Sequence, residues 1–312
     1  MADSLTDLLA RFADENAARA ALEQWRWPNG PRCPKCGSIN VYRIQSMRGS
    51  STRKGLLRCR DCEGQFTVTV GTIFEDSHIP LGKWIVAIHL MCASKKGMSA
   101  HQLHRMLGLT YKSAWFMSHR IREAMRVDPL KTLLKGVVEA DETFVGGQPK
   151  NRHLGKREPA PPKTPVLSLV ERGGQVRSFR IANVTGDTLK GAIRSNVSRK
   201  TRIMTDGAAA YRPLEREFAG HEAVDHQGGE YVRGEAHTNT VESYFSILKR
   251  GIIGTYHHVS EAHLPRYLSE FDRRYNLRKV SDAERAVAVI RGAEGKRLTY
   301  KPLVNRSVGR VS

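Results

Sequence analysis

No stretch of this 312-residue chain approaches the ~18 consecutive apolar residues of a membrane-spanning helix. A basic leader is lacking too, since Asp3, Asp7, Asp14 and Glu15 stand where a secretory signal would be positively charged. These absences predict a soluble, cytoplasmic protein. Cysteine is scarce: the five residues fit no even disulfide framework, and four of them form two Cys-x-x-Cys pairs, as expected in a reducing compartment. No internal repeat is visible. Acidic residues are also short, 31 against 51 Lys and Arg, for a net charge of +20 and a pI near 10. An excess spread so evenly favours a polyanionic partner, and the motifs below favour nucleic acid over an anionic lipid surface.

What is present divides into segments. Leu5, Leu8, Leu9, Phe12, Leu22 and Trp25 recur at near-helical spacing and predict a helical lead-in over 1–30, closed by the turn signal Pro28-Asn29-Gly30-Pro31. Cys33, Cys36, Cys59 and Cys62 offer four thiolates on two knuckles, with Gly37 and Gly64 placed for the turns. Soft ligands in that spacing predict a zinc ribbon over 31–78 with a structural Zn²⁺. The alternation of Gln65–Val70 predicts a strand. Cys92, inside an apolar run, reads as a buried core thiol.

Over 79–128 the pattern turns helical. Trp84, Ile85, Ile88 and Leu90 predict one helix, Ser99–Leu107 a second capped by Ser99, and Thr110–Met125 a third after the Gly108 turn. This is the outline of a helix-turn-helix, with Lys112, Ser113, His119, Arg120 and Arg122 expected to face DNA; a plain bundle with a basic face is the alternative. From 129 to 280 the elements alternate in type, with strands near 136–145, 165–171, 176–184, 201–205 and 221–225, helices near 187–197 and 208–217, and another from Asn239. That order predicts a mixed sheet with helices packed on it, an α+β or α/β unit. A basic tail is expected over 281–312, with a short helical pattern at Ala286–Ile290.

Three acidic residues fall on the predicted core elements: Asp141, Asp206 and Glu242, the last two separated by about 35 residues. Carboxylates that end two strands and start a helix can converge on the two divalent metals of in-line phosphoryl transfer. Glu139 shares a strand face with Asp141. On the helix from Asn239, Val241, Tyr244, Phe245, Leu248 and Ile252 form an apolar stripe, while Glu242, Ser246 and Lys249 share another face. Each acid also has a plain structural reading: Glu242 as the end of a capping box from Asn239, Asp206 as a turn former before Gly207, Asp141 as a surface charge. His237 reads as a hydrogen-bonding or DNA-contacting residue, with metal ligation as the alternative. Tyr256, His257 and His258 are left between DNA contact and local packing.

These residues resemble a known family. The segment Val138-Glu-Ala-Asp-Glu-Thr-Phe-Val-Gly-Gly147, the triplet Thr205-Asp-Gly207 and the long run from His237 to His257 are similar to ISXO-type insertion-sequence transposases of bacteria. The ribbon and the segment Leu103–Arg122 match as well, so the resemblance spans about 15–280. It implies a ribonuclease-H-like catalytic unit with a DDE triad, Asp141, Asp206 and Glu242, holding two Mg²⁺ or Mn²⁺ ions. Lys249 would be the basic residue that follows, with Arg250 as a further DNA contact. Asn239 is the alternative third ligand, and the spacing and Lys249 favour Glu242. The implied partners are transposon ends, target DNA and a second copy of the chain, at the nucleoid. Two other classes stay open: a zinc-dependent DNA-binding regulator without catalysis, and a nuclease or resolvase acting on branched DNA.

Overall fold

Strand β4 (Val137–Val145) is buried from both sides, and the sheet is built around it. A computed structural model describes residues 4–45, 54–127, 132–146, 163–225 and 228–300. The basic loops expected over 47–54 and 148–163, the linker at 128–129 and the last twelve residues lie outside this set, apart from Lys54 and Lys163. Contacts divide the chain into two units, one of Met1–Ser94, Met98–Arg126 and the stretch from Val280, the other of Lys95–Gly97 and Val127–Lys279. Among the described residues no helix is long and apolar enough to cross a membrane.

In the second unit, β5 (Thr164–Glu171) and β6 (Val176–Arg180) run antiparallel beside β4. Strands β7 (Arg202–Asp206) and β8 (Gly220–Val224) lie parallel on its other side, in the order β6-β5-β4-β7-β8. Three antiparallel strands followed by two parallel ones give the mixed, ribonuclease-H-like sheet implied by the resemblance. Because side chains alternate along a strand, each face finds its own helices. Val166 and Val170 meet Val241, Tyr244 and Leu248 of α7 (Asn239–Gly251) and Leu268 and Phe271 of α8 (Leu264–Asn276). Leu167 and Leu169 meet Leu189 and Ile193 of α6 (Gly186–Asn196) on the opposite face. The helix expected over 208–217 is a 3₁₀ helix, Ala209–Arg216, in which Pro213 has no N–H to donate.

The first unit is one core rather than a string of beads. Helices α1 (Leu5–Arg11) and α2 (Glu15–Arg26) make the lead-in, broken where Asp14 caps α2. The ribbon strands β1 (Val41–Arg43), β2 (Leu57–Cys59) and β3 (Gln65–Phe66) form a small antiparallel sheet. Only two residues of the expected Gln65–Val70 strand are extended; Thr67 and Thr72 turn the chain through hydroxyl bonds to Thr69. Helices α3 (Leu81–Ala93), α4 (Ala100–Leu107) and α5 (Tyr111–Met125) follow. Gly108, left-handed at φ +60°, ends α4, and Thr110 caps α5, which is the expected helix-turn-helix outline. Leu8, Leu22, Leu57, Phe66, Trp84, Cys92, Leu103 and Ile121 belong to one hydrophobic cluster. The segment expected as a tail joins it, because α9 (Asp282–Arg291) places Ala286, Val289 and Ile290 in the same core.

Asp272 pins α8 to the sheet by accepting from Ser178 N–H (2.8 Å), Ser178 Oγ (2.7 Å) and Tyr244 OH (2.6 Å). Burial lifts its carboxyl from the ordinary 3.8 to about 6, against the lowering effect of those donors. A folded value above the unfolded one means that its contribution is fully present below about pH 4 and is lost as pH rises through about 6. An Asn there keeps an acceptor for the Ser178 amide, and the two hydroxyls can reverse their roles. The melting temperature of Asp272→Asn relative to wild type is therefore expected to rise between pH 4 and 7 in calorimetry; a pH-independent difference would refute this.

Candidate active site

The strand register sets the first two carboxylates. In the parallel pair β4 and β7, Glu139 lies opposite Met204. The pairing ends there, and Asp141 and Asp206 each stand two residues further along, at the same end of the two neighbouring strands. Both side chains take the sheet face that α7 covers. Asp206 ends β7, its Oδ1 accepts the Ala208 amide at 3.3 Å, and Gly207 makes the turn beyond it.

Helix α7 brings the third. Its N-cap, Thr238, makes no side-chain cap, so the capping-box reading of Glu242 does not hold. The helix amides are satisfied from the strand instead: the fully buried Glu139 accepts from Thr240 N (2.7 Å), Val241 N (2.9 Å) and Thr240 Oγ1 (2.8 Å). Arg172 donates its Nε to Glu139 (2.7 Å) and its two terminal nitrogens to the carbonyls of Glu235 and His237. Glu139 thus lies on the Asp141 face without being free to act as a ligand. His237 Nδ1 stands 3.3 Å from Glu139 Oε1, within ion-pair reach but making no hydrogen bond, so the hydrogen-bonding expectation is not met at that nitrogen. Thr238 Oγ1 donates to Glu242 Oε1 at 3.1 Å and orients that carboxylate.

Asp141, Glu242, Phe245, Ser246, Lys249 and Arg250 line one open groove of about 450 Å³, together with Glu142. The face of α7 that carries Glu242, Ser246 and Lys249 therefore looks into it, together with Phe245 of the apolar stripe. Asp206 stands one strand over and is not in that lining, nor is Asn239. Arg250 folds back on Ser246, with bonds to its carbonyl (3.1 Å) and hydroxyl (2.9 Å). Beside Tyr211, burial raises the Glu142 carboxyl to about 7, aided by the charges of Asp141 and Asp206. Among the described residues, the four ribbon cysteines are the one group of three or more donors placed to hold a metal ion, their sulfurs all within 4.8 Å of one another, and the three carboxylates do not form such a group.

In the ribbon, Cys33 Sγ is 3.6 Å from Cys62 Sγ, and Cys36 Sγ is 3.6 Å from Cys59 Sγ. A tetrahedron with Zn–S bonds of about 2.3 Å has edges of about 3.8 Å, so the cysteines fit zinc. None forms a disulfide. The backbone N–H of Cys62 does most to hold the Cys59 thiol down at about 7, favouring the thiolate that binds metal. At the first knuckle Gly37 is left-handed as expected (φ +78°), but at the second the left-handed residue is Glu63 (φ +54°), not Gly64.

A family model described as the ISXO2-like transposase domain matches residues 133–276, and one described as a transposase zinc-ribbon domain matches 13–65. An uncharacterized protein in transposable element ISH50 of Halobacterium salinarum is 31% identical over 277 residues, covering 84% of this chain and 91% of its own length. The chain belongs to the ISXO2-like transposase family. That relative is archaeal, so the family is not confined to bacteria. Solved structures similar to the transposase include a pre-cleavage Mos1 transpososome (11% identity, 68% of this chain and 79% of that one, TM-score 0.22). A Mos1 mariner paired end complex with Mn is a second (12%, 65% and 77%, TM-score 0.21). Likeness that slight carries no argument. By family, then, the transposase is a DNA-binding, DNA-cleaving enzyme of an insertion sequence.

Its helix-turn-helix needs a correction at three positions. Lys112 is exposed and Ser113 half-buried at the start of α5, but His119, Arg120 and Arg122 are buried. Two helical turns further on, the face expected to meet DNA has rotated into the core. Arg120 donates to the Glu75 carbonyl and lies over Trp84 and Phe116, and burial lowers its guanidinium to about 10. Arg122 bonds Ser118 Oγ. In the second unit, Tyr256 packs inward through a 2.6 Å bond to Glu270, whereas His257 and His258 are exposed.

All four tryptophans, Trp25, Trp27, Trp84 and Trp115, lie in the first unit. Since the ribbon shares their core, chelating zinc, or Cys62→Ser, is expected to lower the melting temperature read by tryptophan fluorescence as metal content falls. An unchanged tryptophan transition after metal loss would show the ribbon to be independent of that core.

Proposed function

We propose that this transposase cuts DNA at the ends of its element and joins them to a target by a DDE mechanism, with Asp141, Asp206 and Glu242 as the triad. The observation that carries the reading is the groove in which a strand carboxylate and a helix carboxylate face Lys249 and Arg250, at the end of the sheet where Asp206 closes the neighbouring strand. Three all-oxygen donors suit a hard divalent cation, Mg²⁺ or Mn²⁺. Two such ions, when bound, supply activation of the attacking oxygen and stabilisation of the leaving one.

In this reading Asp141, Asp206 and Glu242 would hold the two ions. Lys249, two turns along α7 and about 10 Å from Glu242, holds a backbone phosphate over the carboxylates. Arg250 adds charge at the same wall. Water attacks first and the freed 3′-hydroxyl second, so no covalent bond to the protein forms. Lys112 and Ser113 contact the terminal inverted repeat. Joining two ends in one reaction calls for at least a dimer on DNA, acting in the cytoplasm at the nucleoid.

Asp141→Asn, Asp206→Asn and Glu242→Gln are each expected to lower strand transfer on labelled ends by a factor on the order of 10⁴ while DNA binding persists. Undiminished transfer would leave a DNA-binding regulator; cutting without joining in the wild type would indicate a nuclease or resolvase. Lys112→Ala should weaken binding and reduce the salt slope of log K by about 1. Arg120→Ala should act on the melting temperature instead, and the reverse assignment would overturn this view of α5.

A further inference from the structure

We propose that Glu139 is a positioning residue for catalysis, setting the separation of Asp141 and Glu242 through the first turn of α7. The proposal rests on the DDE reading above. Glu139 and Asp141 share one face of β4, two residues or about 6.8 Å apart along the strand. The carboxylate of Glu139 holds the amides of Thr240 and Val241, the two residues before Glu242. One strand therefore bears both a proposed metal ligand and the grip on the helix that brings its partner.

The bonding excludes a direct role. Oε2 takes both amides, Oε1 takes Thr240 Oγ1 and Arg172 Nε, and the residue has no solvent exposure. No oxygen is left for a metal or a phosphate. A helix start also carries partial positive charge, so a carboxylate there is favoured electrostatically as well as by its hydrogen bonds. Arg172 extends the grip backwards by fixing the carbonyls of Glu235 and His237, which lead into the helix. Thr238, next in the chain, turns Glu242 itself.

Replacing Glu139 by Gln keeps the shape but turns one acceptor oxygen into a donor, facing either the helix amides or Arg172. The first turn of α7 then shifts and Glu242 no longer meets the ion held with Asp141. The test is calorimetric Mn²⁺ binding to the zinc-loaded full chain, with melting temperature and strand transfer measured alongside. Glu139→Gln is expected to weaken Mn²⁺ binding by about 10- to 100-fold, as for other residues that orient ligands. Raising Mn²⁺ should restore much of its strand transfer, which a merely destabilised protein would not show. Thr240→Ala, which removes one donor from the half-buried first turn, should weaken Mn²⁺ binding about fivefold, and it decides the matter where Glu139→Gln does not fold. Wild-type Mn²⁺ affinity in these variants, with affinity lost in Glu242→Gln, would overturn the role of Glu139 and leave the DDE reading standing. Absence of Mn²⁺ binding in the wild type would sink both.

Discussion

Glu139 carries a charge with no solvent exposure, and such a group persists in a fold only when donors surround it. Here they come from two places in the chain: the first turn of α7 and Arg172 after β5. The bonds fix where α7 begins and how it is rotated. With that set, Val241, Tyr244 and Leu248 pack on the sheet, and Glu242, Ser246 and Lys249 must turn to the groove. The apolar stripe alone would hold the helix against the sheet but leave it freer to slide along its axis. A buried polar contact has one geometry, and it supplies the register that packing does not.

The same contrast between charge as a solvent-facing property and charge as an internal fastener runs through the basic side chains. Arg26 bonds the carbonyls of Val68 and Val70, Arg120 bonds Glu75, and Arg274 pairs with Glu270, all inside the protein. Arg177 reaches Thr132 and Asn196 in like manner. These arginines count toward the net charge of +20, yet no polyanion can touch them. Lys112, Lys249 and Arg250 are among the cations that face outward. A charge total therefore indicates the class of partner and overstates how many residues meet it.

Much of this architecture was legible locally. The strand and helix limits around Asp141, Asp206 and Glu242 follow from period-2 and period-3.6 patterns, and the ribbon from two Cys-x-x-Cys pairs. Ser99 and Thr110 cap the helices expected of them. The readings that failed share a cause. His119, Arg120 and Arg122 were placed by type, but a helix face is assigned by what packs on it, and here that is the rest of the first unit. Glu63 rather than Gly64 takes the left-handed turn, since a metal knuckle imposes a backbone conformation whatever residue occupies it. The weak stripe of Ala286 to Ile290 looked like part of a tail until α9 found its partners far earlier in the chain.

Sequence by itself determined the family, the elements, the zinc ligands and the acidic residues to consider, because each is written in residue types at short spacing or in a long shared motif. Tertiary structure decided which charges face outward, that Glu139 grips a helix instead of joining the acids beside it, and that Glu242 is turned by Thr238 into a groove with Asp141. These are matters of which distant group lies opposite a given side chain. Burial and hydrogen bonding are properties of such pairs, and no local pattern contains the second member.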